Sequence, residues 1–159
     1  MSGFYSNQVS SDLIWEVTRN QNAFLVKRNT GGGVQFSRDP FNLANVHSRK
    51  HAGFVNQKAV GIHSAGEKGG VTLITKRTGQ PQRPGKATIS TTLGGNKSTR
   101  KTYASIVGST AKTGYRPDIR AAAVARASAI RRSQLPVKEA PASKLRGVKA
   151  KKAAAAKEA

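Results

Sequence analysis

The residues best equipped for chemistry in this chain are cationic, and they come in small groups. Lys27 and Arg28, Arg49 and Lys50, Lys76 and Arg77, Arg83 and Lys86, and the trio Lys97, Arg100 and Lys101 each gather two or three positive charges. Arginine offers a planar fork of donors and lysine a point charge, and both suit phosphate oxygens. Their scatter over element ends and loops fits a protein that phosphates approach from several sides, as in folded RNA. A duplex reader would concentrate its charge on one face. A merely solvated surface would intersperse acids. Here 28 Lys and Arg stand against 7 Asp and Glu, a net charge of +21. Self-repulsion on that scale calls for counter-charge from nucleic acid or an anionic membrane.

Other chemistries lack their residues. "GIHSAGEK" spaces Gly61 and Gly66 like a phosphate-binding loop, but Glu67 stands where lysine is needed. "GQPQRPGKA" has the wrong spacing, and Ala87 replaces the metal-binding hydroxyl. His47 and His51 are four apart with no carboxylate or thiol partner, and His63 is distant, so no metal is expected. The absence of cysteine excludes disulfides, zinc fingers and thiol nucleophiles. The carboxylates Asp12, Glu16, Asp39, Glu67, Asp118, Glu139 and Glu158 suggest no pair for acid–base work. No catalytic residue, enzymatic activity or cofactor is therefore expected. An aromatic platform of the RNP type is missing too, "GFV" at Gly53 being a lone fragment. The N-terminus shows no apolar signal region, and no apolar run approaches the ~18 residues that span a bilayer, so no membrane partner is expected.

The elements that must position these charges are legible in the pattern. In "SSDLIWEVTRN", Leu13, Trp15 and Val17 alternate as in a strand, while Ser11 or Asp12 as a cap and the Ile14–Val17 spacing favour a short helix. "AFLVKR" (23–28) reads as a strand ended by "NTGGG", and residues 29–50 read mostly as loop. "HAGFVNQ" and "KAVGIHS" are candidate strands. "AGEKGG" then turns the chain into "VTLITKR", forming a hairpin. "TGQPQRPGK" is a loop and "ATISTTL" an edge strand. The expected core is small: Trp15, Phe24, Leu25, Val26, Phe54 and "VTLIT".

From Asn96 the period becomes helical. Thr99, Tyr103, Ile106 and Thr110 share a face, and Gly114 is the stop. A second helix starts at "YRPD", with Pro117 suited to its first turn and Asp118 to its positive end, and it stops at Pro136. Ile119, Ala122, Ala123, Ala127 and Ile130 form its apolar stripe. Arg126 points into that stripe. Either its stem lies along the seam with the head in water, or the alanine face meets RNA and the fork grips phosphate. For a protein embedded in RNA, Trp15→Ala is expected to damage the fold and Arg126→Ala mainly to weaken RNA binding. Beyond Pro136 the Ala/Lys-rich tail carries almost no apolar payload and is expected to be disordered alone.

"DLIWEVTRN", "FLVKRN", "KAVGI", "GVTLITKRTGQ", "ISTTL" and above all "YRPDIRAAAVARASAIRRSQLPVK" occur in an order that resembles the eukaryote-specific large-subunit ribosomal protein family twenty-eight, from about Asp12 to Lys138. The N-terminal pattern also resembles a nucleolar ribosome-assembly factor that shares the domain, and the "YRPDIR" block favours the ribosomal family. The resemblance implies a non-enzymatic protein bound to large-subunit rRNA beside neighbouring large-subunit proteins. It implies residence in the cytoplasm after passage through the nucleolus, with no homo-oligomer. On that match Lys27, Arg28, Lys76, Arg77, Arg116, Arg120, Arg126, Arg131 and Arg132 occupy basic positions of the family.

The fold class expected is thus α+β: a small antiparallel sheet with a short N-terminal helix, then two C-terminal helices and a basic tail, disordered or ordered by RNA. The expected organisation is a mobile extension (1–11), an α+β domain (12–95), a helical part (96–135) and the tail (136–159). A free chromatin protein with a tail like that of linker histones is the alternative, although 16 of the 28 basic residues precede Arg116, within the folded part.

Overall fold

The structure is a computed structural model that describes residues 9–66, 69–79, 83, 85–140 and 146–158. Its elements run α1 (Ser11–Thr18), β1 (Leu25–Lys27), β2 (Gln35–Ser37), β3 (Val60–Ser64), β4 (Gly70–Lys76), β5 (Thr88–Gly94), α2 (Thr99–Val107), a π-type turn (Gly108–Lys112), a 3-10 turn (Pro117–Ile119), α3 (Arg120–Ser133) and α4 (Val148–Glu158). The α+β class is as expected. The mobility expected for residues 1–8, and parts of the turn at 67–68, the loop at 80–84 and the tail at 141–145, lie outside the described residues.

Two antiparallel sheets form, β1–β2 and β3-β4-β5. The β-branched run Val71–Thr75 makes β4 the central strand, pairing Ile62 with Leu73 on one side and Leu73 with Thr91 on the other. Gly70 enters that strand at φ 108, where a Cβ would meet Leu93 O at 2.4 Å, so only glycine fits. β5 is an edge. The N–H of Arg77 donates to Ala87 O, which sets the alternation. By that alternation Thr88, Ser90 and Thr92 turn their main-chain groups away from β4, toward an edge that no described strand covers.

Alternation puts Val60, Ile62, Val71, Leu73 and Leu93 on one face. They join Leu43 and the helical residues Ile106, Ile119, Ala123 and Ala127 in a single buried cluster. Thr102 and Thr110 are buried on the same helical side because each hydroxyl donates to the carbonyl four residues back, on Ser98 at 3.1 Å and Ile106 at 2.7 Å. Gly114 stops this helical segment at φ 67. On the opposite sheet face the chain at Pro40 and Phe41 packs closely, since a Cβ on Gly61 would meet Pro40 O; within the same segment, one on Gly53 would collide with Phe41.

Several expectations are corrected. The cap of α1 is Ser10, whose hydroxyl accepts from the N–H of Leu13, one residue before the positions expected. "HAGFVNQ" is no strand. Its N–H groups close local turns, from Ala52 to Ser48 O and from Asn56 to Ala52 O, and Gly53 is pressed onto Phe41. β2 lies inside the stretch read as loop, returned against β1 by three successive glycines at positive φ. Trp15, Phe24, Leu25, Val26 and Phe54 are only half-buried and stand outside the main cluster. Trp15 stacks on His47 at 4.9 Å between centroids, and Phe24 on Phe54 at 5.7 Å. The tail contains α4, an Ala/Lys run of strong helix propensity, where disorder was expected.

The weight of the core therefore shifts to the sheet and α2–α3. Ile62→Ala, at a site with 0% exposure, is expected to cost about 2–5 kcal/mol in chemical denaturation. Trp15→Ala is expected to cost clearly less. Equal losses would contradict this division.

Candidate nucleic-acid interface

The sixteen basic residues singled out by sequence fall into two groups. Arg49, Lys76, Arg116, Arg126 and Arg131 spend their donors on the protein itself. Arg126 bridges α3 to the sheet: its Nε donates to Ile62 O at 3.0 Å, and its Nη1 to Leu43 O at 3.3 Å and Asn45 Oδ1 at 3.1 Å. The first reading placed this head in water; instead it is bound to two main-chain carbonyls and an amide oxygen of the protein. Arg131 donates to Gly95 O at 3.1 Å and Lys97 O at 3.0 Å, fixing the C-terminal half of α3 to the β5–α2 connection.

Arg116 forks onto Asp118 at 2.8 and 2.7 Å and reaches Lys58 O at 2.7 Å and Lys50 O at 3.1 Å. Arg49 binds α1 to the body through Asp12 Oδ1 at 2.9 Å and Ser11 Oγ at 2.7 Å, with Asn56 Oδ1 also accepting. The Lys76 ammonium donates to Gly53 O and Asn56 O and lies over the Phe41 ring. Burial lowers its pKa, partly offset by Asp39.

The other eleven are exposed: Lys27, Arg28, Lys50, Arg77, Arg83, Lys86, Lys97, Arg100, Lys101, Arg120 and Arg132. Among the described residues none of them has a salt-bridge partner. Lys27 ends β1. Arg28 follows it with its guanidinium 5.7 Å from the centroid of the Phe36 ring. Lys50 lies on the 39–56 segment. Arg77, Arg83 and Lys86 crowd the β4–β5 connection, and Arg120 and Arg132 mark opposite ends of α3. Lys97, Arg100 and Lys101 surround the start of α2, whose first turn holds no acid.

Two residues that position the frame were missed. The Tyr115 hydroxyl accepts from Ala59 N–H at 3.2 Å and donates to Lys76 O at 2.6 Å, and burial raises its pKa. Gln134 completes a two-way amide pair with Gly70, at 2.9 and 2.7 Å. Their signal was their place, just before and just after the apolar stripe of α3. The quoted block from Tyr115 to Gln134 is thus a row of side chains that grip the main chain of the sheet and its flanking segments.

Residues 13–133 match the ribosomal L28e protein family. The chain belongs to that family. Large ribosomal subunit protein eL28 of Schizosaccharomyces pombe is 47% identical over 131 residues, 82% of this chain and 96% of the relative. Its namesake in Dictyostelium discoideum is 31% identical over 137 residues, 86% and 97% of the two chains. That of Caenorhabditis elegans is 39% identical over 85 residues, 54% and 64%. The L28e match ends at Ser133, the last residue of α3, and so leaves α4 outside.

Two outcomes follow for the L28e fold. Arg126→Ala strands two carbonyls at the sheet edge and is expected to cost about 1–3 kcal/mol, whereas exposed Arg120→Ala should stay within about 0.5 kcal/mol. Chemical denaturation of both variants checks this. The Arg116 hydrogen bonds hold Asp118 below its ordinary pKa of 3.8. A depressed carboxylate stabilises the fold above its unfolded value, and that stability is lost as pH falls through the folded value. Melting curves below pH 3.8 should therefore drop more steeply for the native chain than for Asp118→Asn.

Proposed function

We propose that this L28e protein is a structural constituent of the large subunit of the eukaryotic cytoplasmic ribosome, held there by contacts between its exposed Lys and Arg side chains and rRNA phosphate. Its partners are large-subunit rRNA and neighbouring large-subunit proteins. It works in the cytoplasm after assembly in the nucleolus, and its role is architectural, not enzymatic. The relatives' names support the location, and one observation carries the mechanism. Among the described residues, carboxylates pair only with Arg19, Arg49 and Arg116, so the eleven exposed cations face outward without an acid. Lys97, Arg100 and Lys101 even gather where the α2 dipole is already positive, an arrangement that an external anion relieves.

In a lysate resolved on a sucrose gradient with EDTA and a moderate salt wash, the tagged protein should migrate with the large subunit. RNase should release it and DNase should not. Migration with chromatin would overturn the proposal. In titrations of isolated rRNA, replacing Lys97, Arg100 and Lys101 together by Gln should reduce the log–log salt slope by about 2 to 3. The melting curve should stay essentially unchanged.

A further inference from the structure

The outer edge of β5 is polar, unpaired and bracketed by charge. Thr88, Ser90, Thr91 and Thr92 are exposed, and Ile89, 42% exposed, is the one large apolar group beside them. Among the described residues, the outward N–H groups of Thr88, Ser90 and Thr92 donate to nothing. In α2 and the turn after it the hydroxyls of Thr102, Ser105, Thr110 and Thr113 are spent on carbonyls one turn back. Those of β5 stand on exposed residues instead. One end of the strand meets Arg77, Arg83 and Lys86 at the β4–β5 connection, and Lys97, Arg100 and Lys101 follow the other end. From Lys68 to Arg116 the sequence holds ten Lys and Arg and no Asp or Glu. The carboxylates that bound this stretch are Glu67 and Asp118, and Arg116 already pairs the second.

We propose that an rRNA strand lies along this edge with its sugar–phosphate backbone inward, running from one cationic end to the other. The outward main-chain groups recur at every second residue, about 6.8 Å apart, a step comparable to that between successive phosphates. Phosphate oxygens accept from the N–H groups and hydroxyls, and ribose 2′-hydroxyls donate to the outward carbonyls. A strand without a charge of its own thereby joins two cationic ends into one path. Charge selects this occupant. A protein strand would pair with the same N–H and C=O groups. It would find only Ile89 as an apolar anchor, and it would leave the cations at both ends without an acid. A second copy of this chain brings +21 of like charge. RNA brings a negative charge at every step, and DNA lacks the 2′-hydroxyl donor. The inference rests on the proposed binding of rRNA and adds to it a site built from neutral groups.

The first test removes one outward donor and leaves the sheet. Ser90→Pro deletes an N–H that no described strand uses, and an edge strand accommodates proline where its N–H faces solvent. Ser90→Ala keeps the N–H and deletes the hydroxyl. In titrations of isolated rRNA with the full-length protein, Ser90→Pro should weaken binding about tenfold and Ser90→Ala less. The log–log salt slope should stay unchanged in both, because the cations that release counterions are untouched. Unchanged affinity in a Ser90→Pro protein that melts like the native chain would sink the idea. The second test needs no proline. A photo-crosslinking residue replaces Ser90 in the full-length protein, which is expressed in cells and purified with salt-washed large subunits. The expected product is a crosslink to rRNA, as from position 101. A crosslink from position 90 to a protein or to a second copy, or none while position 101 reaches rRNA, would overturn the edge site and leave the rRNA reading intact. Failure of both positions to reach rRNA, or absence of the protein from the particle, would remove the rRNA reading and this inference with it.

Discussion

The fold depends on main-chain carbonyls standing in for the carboxylates the chain lacks. With 28 basic residues and 7 acidic ones, cationic side chains cannot all be matched by acids. At the seams they are matched by oxygen dipoles instead. Arg126 takes the carbonyls of Ile62 and Leu43, Arg131 those of Gly95 and Lys97, Arg116 those of Lys58 and Lys50, and Lys76 those of Gly53 and Asn56. Each bond gives a charged donor to an acceptor that strand or helix ladders left free, so desolvation of the cation is offset without spending an acid. The guanidinium fork suits this, because one side chain reaches two segments distant in sequence.

That arrangement divides one residue type between two tasks. The cations of the seams hold α3 and α2 to the sheet, and the cations of the rim are left to whatever polyanion the molecule meets. A substitution at the seam removes a bond that holds the body together, while one at the rim leaves the body's hydrogen bonds intact. Sequence spacing cannot separate the groups, since Arg131 and Arg132 are adjacent and belong to different ones. Helical phase can: Arg131 turns toward Gly95 and Lys97, and Arg132 toward solvent.

Legibility followed local physics. The β3–β4 hairpin and the apolar stripe of α3 were readable because their periods and turn residues are contained in short windows. Arg126 announced itself as anomalous by pointing into that stripe, but its acceptors, Ile62 and Leu43, lie far back in the chain and no local pattern names them. Trp15 was given too central a place because a large aromatic normally implies a core. Here the core is made of smaller aliphatics and alanines that let α3 approach the sheet closely. "HAGFVNQ" alternates like a strand, yet Gly53 is small in order to admit Phe41, which is a tertiary reason. The candidate interface was visible as a charge excess. Which cations remain outside became clear only when their carbonyl partners were placed.

The uncovered edge of β5 carries a cost of its own. "TISTTLG" is rich in β-branched residues and has no lysine, arginine or proline to discourage a foreign strand, and such edges invite molecules to stack. What keeps copies apart is repulsion at long range, because two molecules of +21 meet their like before the edges meet. Separation of free copies therefore rests on charge. Salt that shortens the Debye length, or a little polyanion that neutralises without enclosing, removes that repulsion and leaves the edges free to find each other.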